Sequence, residues 1–286
     1  MESNDLYEQM EARLAEWANA REDVRAVIVI GSRARIEDHP ADEWSDLDTI
    51  VFVDDSAQYA NSSEWSTALE QQLGKPVWFP AFDRLTVNEV EWEYVFDDGS
   101  KLDMVFSTSR SDKSAGLAEM IEGFPFRNVL MRGMRPLVDK VPGPPVTLDN
   151  PFTPTLPDAT AFERQINVVL LDMFRAWKLA GRGELWRAAR TVNKDIHEAL
   201  LPLIGWHALA THGRTPGPYG RFLEEWADPN VLALLEGTYA KNTRESVVRT
   251  LQHSHRLLSL LVIETAAKTN LPYPTQAVEK MGEWVE

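Results

Sequence analysis

The stretch from Val27 to Asp55 constrains this chain more than any other, because it joins two apolar strands to two short polar motifs. The first apolar run ends in Gly31-Ser32, and the second begins at Asp46-Leu47-Asp48. Thirteen residues separate Ser32 from Asp46. A turn that opens a helix offers free backbone N–H groups and a positive dipole end to an anion. The stretch therefore predicts that Gly31-Ser32 forms a phosphate-binding turn.

Asp46 and Asp48 form the second half of this pattern. Alternate residues of a β-strand point to the same side, so the two carboxylates project together while Leu47 faces the core. Two like charges at this range repel each other, and a cation between them relieves the repulsion. We therefore predict that Asp46 and Asp48 hold a divalent metal ion beside the phosphate-binding turn.

A third carboxylate comes from a predicted β-hairpin. Two apolar-rich runs, Trp92–Phe96 and Lys101–Phe106, flank Asp97-Asp98-Gly99-Ser100, and Asp-Gly is a strong hairpin signal. Alternation along the second run places Asp103 on the face opposite Leu102. Carboxylates that converge in this way suit phosphoryl or nucleotidyl transfer, which depends on charge stabilisation and on divalent ions. Asp103 is therefore predicted either to bind the metal or to accept the proton of an acceptor hydroxyl.

Composition narrows the range of partners and locations. The formal net charge is −15 and the sequence pI is about 4.9, which argues against binding to a nucleic-acid backbone. The same field attracts a cationic small molecule, although acidity also serves solubility alone. The chain has no cysteine, which excludes disulfides and fits a cytoplasmic location. Without a long apolar run or a basic-then-apolar leader, we predict no membrane span and no export signal.

An acidic run precedes the turn of the predicted hairpin. Glu89, Glu91 and Glu93 alternate along the predicted strand and so share one face. Two interpretations stay open, a solvated surface and an entrance for a cationic acceptor.

The chain is long enough for two domains. Between Val141 and Pro157 it contains six prolines and follows no helical or strand period, which predicts a linker. We therefore predict an α+β protein with strands and helices in residues 1–145 and an all-helical bundle in residues 146–286. The predicted helices of the second half are Ala159–Ala180, Glu184–Ala210, Arg221–Trp226, Val231–Tyr239, Arg244–Lys268 and Thr275–Trp284.

These motifs resemble the nucleotidyltransferase superfamily of DNA polymerase β, in which a strand and Gly-Ser precede Asp-x-Asp and a later carboxylate. Within it, the chain resembles the aminoglycoside 6-adenylyltransferase (streptomycin adenylyltransferase) family. Three stretches carry this likeness: Gly31-Ser32-Arg33 with Asp46-Leu47-Asp48, the segment Phe96–Phe106, and Gly205-Trp206-His207. The resemblance implies a polymerase-β-like nucleotidyltransferase domain with a mixed sheet, followed by a helical acceptor-binding domain.

The resemblance also implies a reaction and a set of site residues. AMP would pass from ATP, with Mg²⁺, to a hydroxyl of an aminoglycoside, and pyrophosphate would leave. The implied nucleotide-binding residues are Gly31, Ser32, Arg33 and Lys178, and the implied metal-binding and catalytic residues are Asp46, Asp48 and Asp103.

Two positions depart from the family pattern, in which acidic residues face the acceptor. Val168 follows Asn167, and Arg190 stands at the second acidic position. Asp172, one turn after Val168, is the candidate that replaces the missing acid in acceptor binding. The acceptor therefore stays open between a streptomycin-like aminoglycoside and another small molecule such as a lincosamide. A catalytically silent nucleotide-binding protein of the same fold is a third alternative, which the intact carboxylates disfavour.

Overall fold

The computed structural model describes residues 3–35, 39–61, 64–108, 115–130, 133–141, 143 and 154–286. The chain divides into two compact units, Met1–Phe152 and Thr153–Glu286. Most of the predicted linker Val141–Pro157, and the predicted domain boundary at residue 145, lie outside the described residues. The first unit combines a sheet with helices and the second is helical, which confirms the predicted α+β class.

The first unit interleaves strands with short and medium helices. Its strands are β1 (Val24–Ile30), β2 (Leu47–Val53), β3 (Val77–Arg84), β4 (Glu89–Phe96), β5 (Lys101–Thr108) and β6 (Met134–Asp139), and its helices are α1 (Ser3–Asn19), α2 (Glu64–Leu73), α3 (Leu117–Gly123) and α4 (Arg127–Leu130).

The strands form one six-stranded sheet in the order β3-β4-β5-β2-β1-β6. β2 and β5 are parallel and the other neighbours are antiparallel, so the sheet is mixed, as the resemblance implied. Strand β6 was not predicted, because Pro136 interrupts its pattern. Proline removes a backbone donor and is tolerated mainly at sheet edges. Both edge strands carry one, Pro80 in β3 and Pro136 in β6.

The two faces of the sheet differ in what covers them. On one face, Leu102, Met104 and Phe106 of β5 are fully buried in a core that includes Trp17 of α1 and Trp65 of α2. On the other face, α3 packs over β1 and β2 through a second apolar cluster. The acidic residues of β2, β4 and β5 lie on this second face, since they alternate with the core residues.

The second unit is helical throughout its secondary structure. Its helices are α5 (Ala159–Gly181), α6 (Leu185–Arg190), α7 (His197–His212), α8 (Leu223–Trp226), α9 (Pro229–Leu235), α10 (Arg244–Thr269) and α11 (Thr275–Val285). Helices α5, α7 and α10 supply much of its buried apolar core. No helix among the residues described in either unit is long and apolar enough to cross a membrane.

The predicted single helix Glu184–Ala210 is interrupted by a π-helical segment, Thr191–Ile196. Such a segment contains an extra residue per turn, which periodicity does not reveal. There the Asn193 side chain donates to the Ala240 carbonyl at 2.8 Å and accepts from the Ala240 N–H at 2.7 Å. The segment thereby fixes the chain that enters α10.

Candidate active site

The strand register brings the predicted carboxylates together at one end of the sheet. Asp48 is paired directly with Asp103 across the parallel strands β2 and β5, and directly paired residues share a face. Asp46 comes immediately before β2. Its Oδ2 lies 4.0 Å from Nζ of Lys101, and the same ammonium is 2.9 Å from Oδ2 of Asp103. All three predicted carboxylates therefore lie on one side of the sheet.

Gly31 packs against Asp48 at the end of β1. Its φ is +72°, and a Cβ built on it would lie 2.6 Å from Oδ2 of Asp48. Any other residue would therefore be strained and would displace the carboxylate. The predicted helix start is a single 3-10 turn, Gly31–Ala34, which brings this turn against the first of the paired carboxylates.

Arg33 fixes the chain that leads to Asp46. Its guanidinium donates to the carbonyls of Ser45, at 2.8 Å, and Asp46, at 3.1 Å. It also stacks 3.6 Å from the ring centroid of Tyr7, and burial lowers the pKa of this guanidinium. These contacts give Arg33 a positioning task, and the phosphate-binding roles of Gly31, Ser32 and Arg33 stay predictions.

Tyr7 of α1 is a site-supporting residue that the sequence did not reveal. Its hydroxyl accepts a hydrogen bond from the Lys101 N–H at 3.2 Å while its ring supports Arg33. It therefore connects the start of β5 with the Gly-Ser turn. Its neighbours in the helix form an ordinary apolar stripe, so no sequence signal distinguished it.

Lys101 is a charged residue of the candidate site that sequence reasoning missed, and Glu93, predicted only as a member of the acidic run, lies beside it. Nζ of Lys101 lies 2.6 Å from Oε2 of Glu93 and 2.9 Å from Oδ2 of Asp103. Glu93 is paired directly with Asp103 across β4 and β5. Alternation already put Lys101 on the face of Asp103, and the exact hairpin register would have added Glu93.

The hairpin register is shifted by one residue from the register predicted for a four-residue turn at residues 97–100. The Phe96 N–H donates to the Ser100 carbonyl at 2.9 Å, and Val95 is paired with Lys101. The loop is therefore Asp97–Gly99, with Gly99 at a φ of +81°, and such three-residue loops favour glycine at that position. This register sets Glu93 opposite Asp103.

Burial and neighbouring charges alter the acid–base properties of the site. Burial raises the pKa of Asp103 to about 7, and the charges of Asp48 and Glu93 add to this although Lys101 opposes it. Burial also raises the pKa of Asp46, with a contribution from Asp48. For Lys101, burial lowers the pKa, but hydrogen bonds to Glu93 and Asp103 outweigh it and the net pKa is raised. Of these groups, the Asp103 carboxyl is the one whose pKa lies near neutral pH in the metal-free protein.

The donor set of this site suits a divalent cation. Its side-chain oxygens come from carboxylates, which Mg²⁺ prefers. Oδ1 of Asp103 is buried and has no hydrogen-bond partner in the described part of the chain, so it is available as a ligand atom. Among the described residues, no three acidic or histidine side chains already have the spacing of a metal site. By donor chemistry, Asp46, Asp48 and Asp103 fit Mg²⁺.

The two predicted site residues of the second unit lie on α5. Lys178 lines a cavity of about 400 Å³ together with Trp177, Arg182 and Arg244. Its Nζ is 5.6 Å from the ring centroid of Phe174. The cavity therefore has a positive and aromatic lining within the helical unit, while a phosphate contact of Lys178 stays a prediction.

Asp172 differs from Val168 in its surroundings. Val168 is 39% exposed, whereas the Asp172 side chain is 11% exposed and accepts a hydrogen bond from Arg175 at 2.9 Å. Four residues along an α-helix rotate the side chain by about 40° beyond a full turn, and here this is enough to move from the open face to the edge of the core. An acceptor contact by Asp172 stays a prediction.

Comparison with known proteins gives one family match and several remote structural likenesses. The model of the family described as streptomycin adenylyltransferase matches residues 5–286. An aminoglycoside 6-adenyltransferase from Bacillus subtilis is 17% identical, with 98% of this chain and 97% of that chain covered and a TM-score of 0.44. A nucleotidyltransferase-like protein from Exiguobacterium sibiricum is 14% identical, with 89% and 74% covered and a TM-score of 0.34. No curated protein matches significantly. Because these TM-scores are low, family membership rests on the family model alone.

Proposed function

The chain belongs to the streptomycin adenylyltransferase family, and we propose that it transfers AMP from ATP, with Mg²⁺, to a hydroxyl of an aminoglycoside. Membership confirms the resemblance found in the sequence and makes the protein a nucleotidyltransferase. The observation that carries the finer proposal is the direct pairing of Asp48 with Asp103 in parallel strands. With Asp46 beside them, these residues offer the oxygen ligands that a metal–nucleotide complex needs.

In the proposed reaction the acceptor hydroxyl oxygen forms a bond to the α-phosphorus of ATP. The bond from that phosphorus to the bridging oxygen breaks, and pyrophosphate leaves with its electron pair. When bound, Mg²⁺ supplies charge stabilisation for this displacement. Asp46 and Asp48 would hold the ion, and the Gly31-Ser32 turn with Lys178 would bind phosphate oxygens.

Asp103 has two alternative tasks in the proposed reaction. In the metal-free protein, burial raises the pKa of the Asp103 carboxyl to about 7, so this carboxylate binds a proton more readily than an ordinary aspartate does, as a general base must. It would then accept the proton that the hydroxyl loses. Alternatively, its unpaired Oδ1 would ligate the metal. The two tasks are separable by the pH dependence of turnover.

A cationic acceptor agrees with the charges around the site. Glu91 and Glu93 lie on the same face as Asp103, and the formal net charge of the chain is −15. Such a field raises the encounter rate of a polycation. Glu89, the third member of the acidic run, is buried and accepts from Ser107 at 3.0 Å, so the solvated interpretation was wrong for it. Binding of the acceptor by Asp172 and a cytoplasmic location complete the proposal.

The test is pyrophosphate release from MgATP against a panel of aminoglycosides and lincosamides, with mass spectrometry of each compound. We expect the mass of AMP to be added to one aminoglycoside, and release to stop when EDTA removes the metal. Addition to a lincosamide would keep the chemistry and replace the acceptor. Binding of ATP without transfer to any compound would contradict the proposed reaction.

A further inference from the structure

Lys101 lies where its ammonium and a divalent cation would use the same oxygens. Its Nζ is 2.6 Å from Oε2 of Glu93, 2.9 Å from Oδ2 of Asp103 and 4.0 Å from Oδ2 of Asp46. The Lys101 side chain is 26% exposed and the Asp103 side chain 19%, so the contact is partly shielded from water and from salt. An ammonium so placed neutralises part of the charge that would otherwise attract a metal ion.

We propose that Lys101 is an internal competitor of the divalent cation, and that metal binding requires its ammonium to leave Asp103 and remain on Glu93. This inference rests on the proposed function, since it concerns the metal site of that reaction. It assigns Lys101 and Glu93 as positioning residues that set the metal affinity. Neither residue needs to contact the nucleotide.

The strand pairing explains why Glu93 is the residue that keeps the ammonium. Glu93 stands directly opposite Asp103 in the hairpin, so Lys101 reaches both carboxylates from one backbone position. The Lys101 N–H is fixed on the Tyr7 hydroxyl at 3.2 Å, whereas its ammonium is carried on a flexible four-carbon stem. Moving toward Glu93 frees Asp103 for the metal, and the ammonium keeps an ionic partner, which avoids the cost of an unpaired buried charge.

The contact also gives the site a stable form without metal. Asp46, Asp48 and Asp103 repel one another. Within the described residues, Lys101 is the only lysine that forms an ion pair with Asp103. An internal cation therefore allows the fold to tolerate its acidic cluster before a metal binds. The same cation lowers the affinity for the metal, because its attraction to Asp103 must be overcome.

The test measures Mn²⁺ binding to the metal-free, full-length protein by electron paramagnetic resonance. Lys101→Met removes the competing charge at similar volume, and we expect about tenfold tighter binding. Lys101→Arg keeps the charge and adds a bidentate grip on carboxylates, so we expect binding about threefold weaker than wild type. Damage to the fold would not shift the affinity in opposite directions.

Lys75→Met is the matched control for loss of one positive charge. Lys75 contacts Asp98 at 2.5 Å and Ser100 at 3.1 Å, and within the described residues it makes no ion pair with Asp46, Asp48 or Asp103. We expect an unchanged Mn²⁺ affinity. Repeating the titrations in 0.5 M KCl screens charges beyond about 4 Å to 5 Å, and we expect the Lys101→Met effect to persist.

The double variant separates two roles of Glu93. If Glu93 only holds Lys101, Glu93→Gln weakens Mn²⁺ binding in the wild-type background and has no effect when combined with Lys101→Met. An equal loss in both backgrounds would mean that Glu93 is itself a metal ligand and would overturn the proposal. So would a Lys101→Met affinity equal to that of wild type.

A separate readout distinguishes this proposal from the proposed function. In EDTA, Lys101→Met should melt at a lower temperature than wild type, and saturating Mn²⁺ should raise its melting temperature by more than that of wild type. Wild-type protein that binds Mn²⁺ and releases pyrophosphate, with no difference in Lys101→Met, would refute the competition alone. Wild-type protein that binds no Mn²⁺ would refute both.

Discussion

The two faces of the sheet use alternate residues of the same strand for different purposes. On β5, Leu102, Met104 and Phe106 are fully buried under α1 and α2, whereas Lys101 and Asp103 lie among charged side chains on the other face. Residues only one position apart therefore belong to separate physical systems. The difference teaches that the apolar packing of this unit can be changed without changing the charged side chains of the candidate site.

The covered face is held by apolar and aromatic packing. Phe106 stacks on Tyr59 with ring centroids 4.1 Å apart and meets Trp65 edge-on at 5.0 Å. Burial of such rings is a main contribution to the free energy of folding. The acidic face contributes in the opposite direction, because its like charges repel each other and destabilise the folded state unless a cation is bound.

The largest expected effect is on the acidic face. Asp48→Asn should lower turnover by at least about a thousandfold, because it removes the charge of a proposed metal ligand from the site. The free energy of unfolding should not fall, since an apolar core does not need this carboxylate. Steady-state pyrophosphate release and urea unfolding measure the two quantities. Asp46→Asn should behave alike, and activity above a few per cent of wild type in both variants would contradict the metal assignment.

The next largest effect is on the covered face. Phe106→Ala should lower the free energy of unfolding by about 3 kcal/mol or more, because it leaves a cavity in a fully buried aromatic cluster. Turnover per folded molecule, measured at low temperature where the variant stays native, should remain within about twofold of wild type. A large loss of turnover in folded protein would show that the two faces are coupled.

A smaller effect is expected where the turn meets Asp48. Gly31→Ala should reduce turnover by about thirtyfold, since displacement of a carboxylate with the proposed metal-binding role by less than 1 Å is costly. Gly99→Ala is the control, because Gly99 also has a positive φ but nothing lies within 4 Å of its Cβ position. Both variants should lose some stability from backbone strain. Equal turnover in the two would refute the contact between Gly31 and Asp48 as the cause.

The smallest effect is a pH dependence of stability in the metal-free protein. Asp103 has a folded-state pKa of about 7, above its unfolded value of about 4. Between these values the folded state holds a proton that the unfolded state releases, so its stabilising contribution is complete below pH ~4 and is lost as pH rises to about 7. Asp103→Asn lacks this loss. Its unfolding midpoint in EDTA should therefore gain on wild type from pH 5 to pH 8, and parallel curves would contradict the raised pKa.

Much of the site could be predicted from sequence, because its signals are local. Asp48 follows a strand boundary, and Asp103 interrupts an apolar alternation, so each is visible within a few residues of chain. Gly31-Ser32 is visible for the same reason. The family model matches residues 5–286, in agreement with what these short motifs imply.

The remainder depends on register and long-range packing. Glu93 and Lys101 belong to the site because the hairpin loop is Asp97–Gly99, and a shift of one residue would turn Glu93 away from Asp103. Tyr7 reaches the site from a helix 94 positions earlier than Lys101. Strand β6 was not predicted, because a proline such as Pro136 normally indicates the end of a strand. The proline is tolerated here because β6 is an edge strand.

The parallel pairing of β2 with β5 has a consequence for the order in which the protein acquires its site. Glu93 and Asp103 meet through a local hairpin, which forms on the microsecond timescale. Asp48 joins Asp103 only when two distant strands align in parallel, which requires closing a long loop and is slow. During folding, the contacts of Lys101 with Glu93 and Asp103 would thus form before the proposed metal site, and affinity for divalent ions would appear only once β2 has paired with β5.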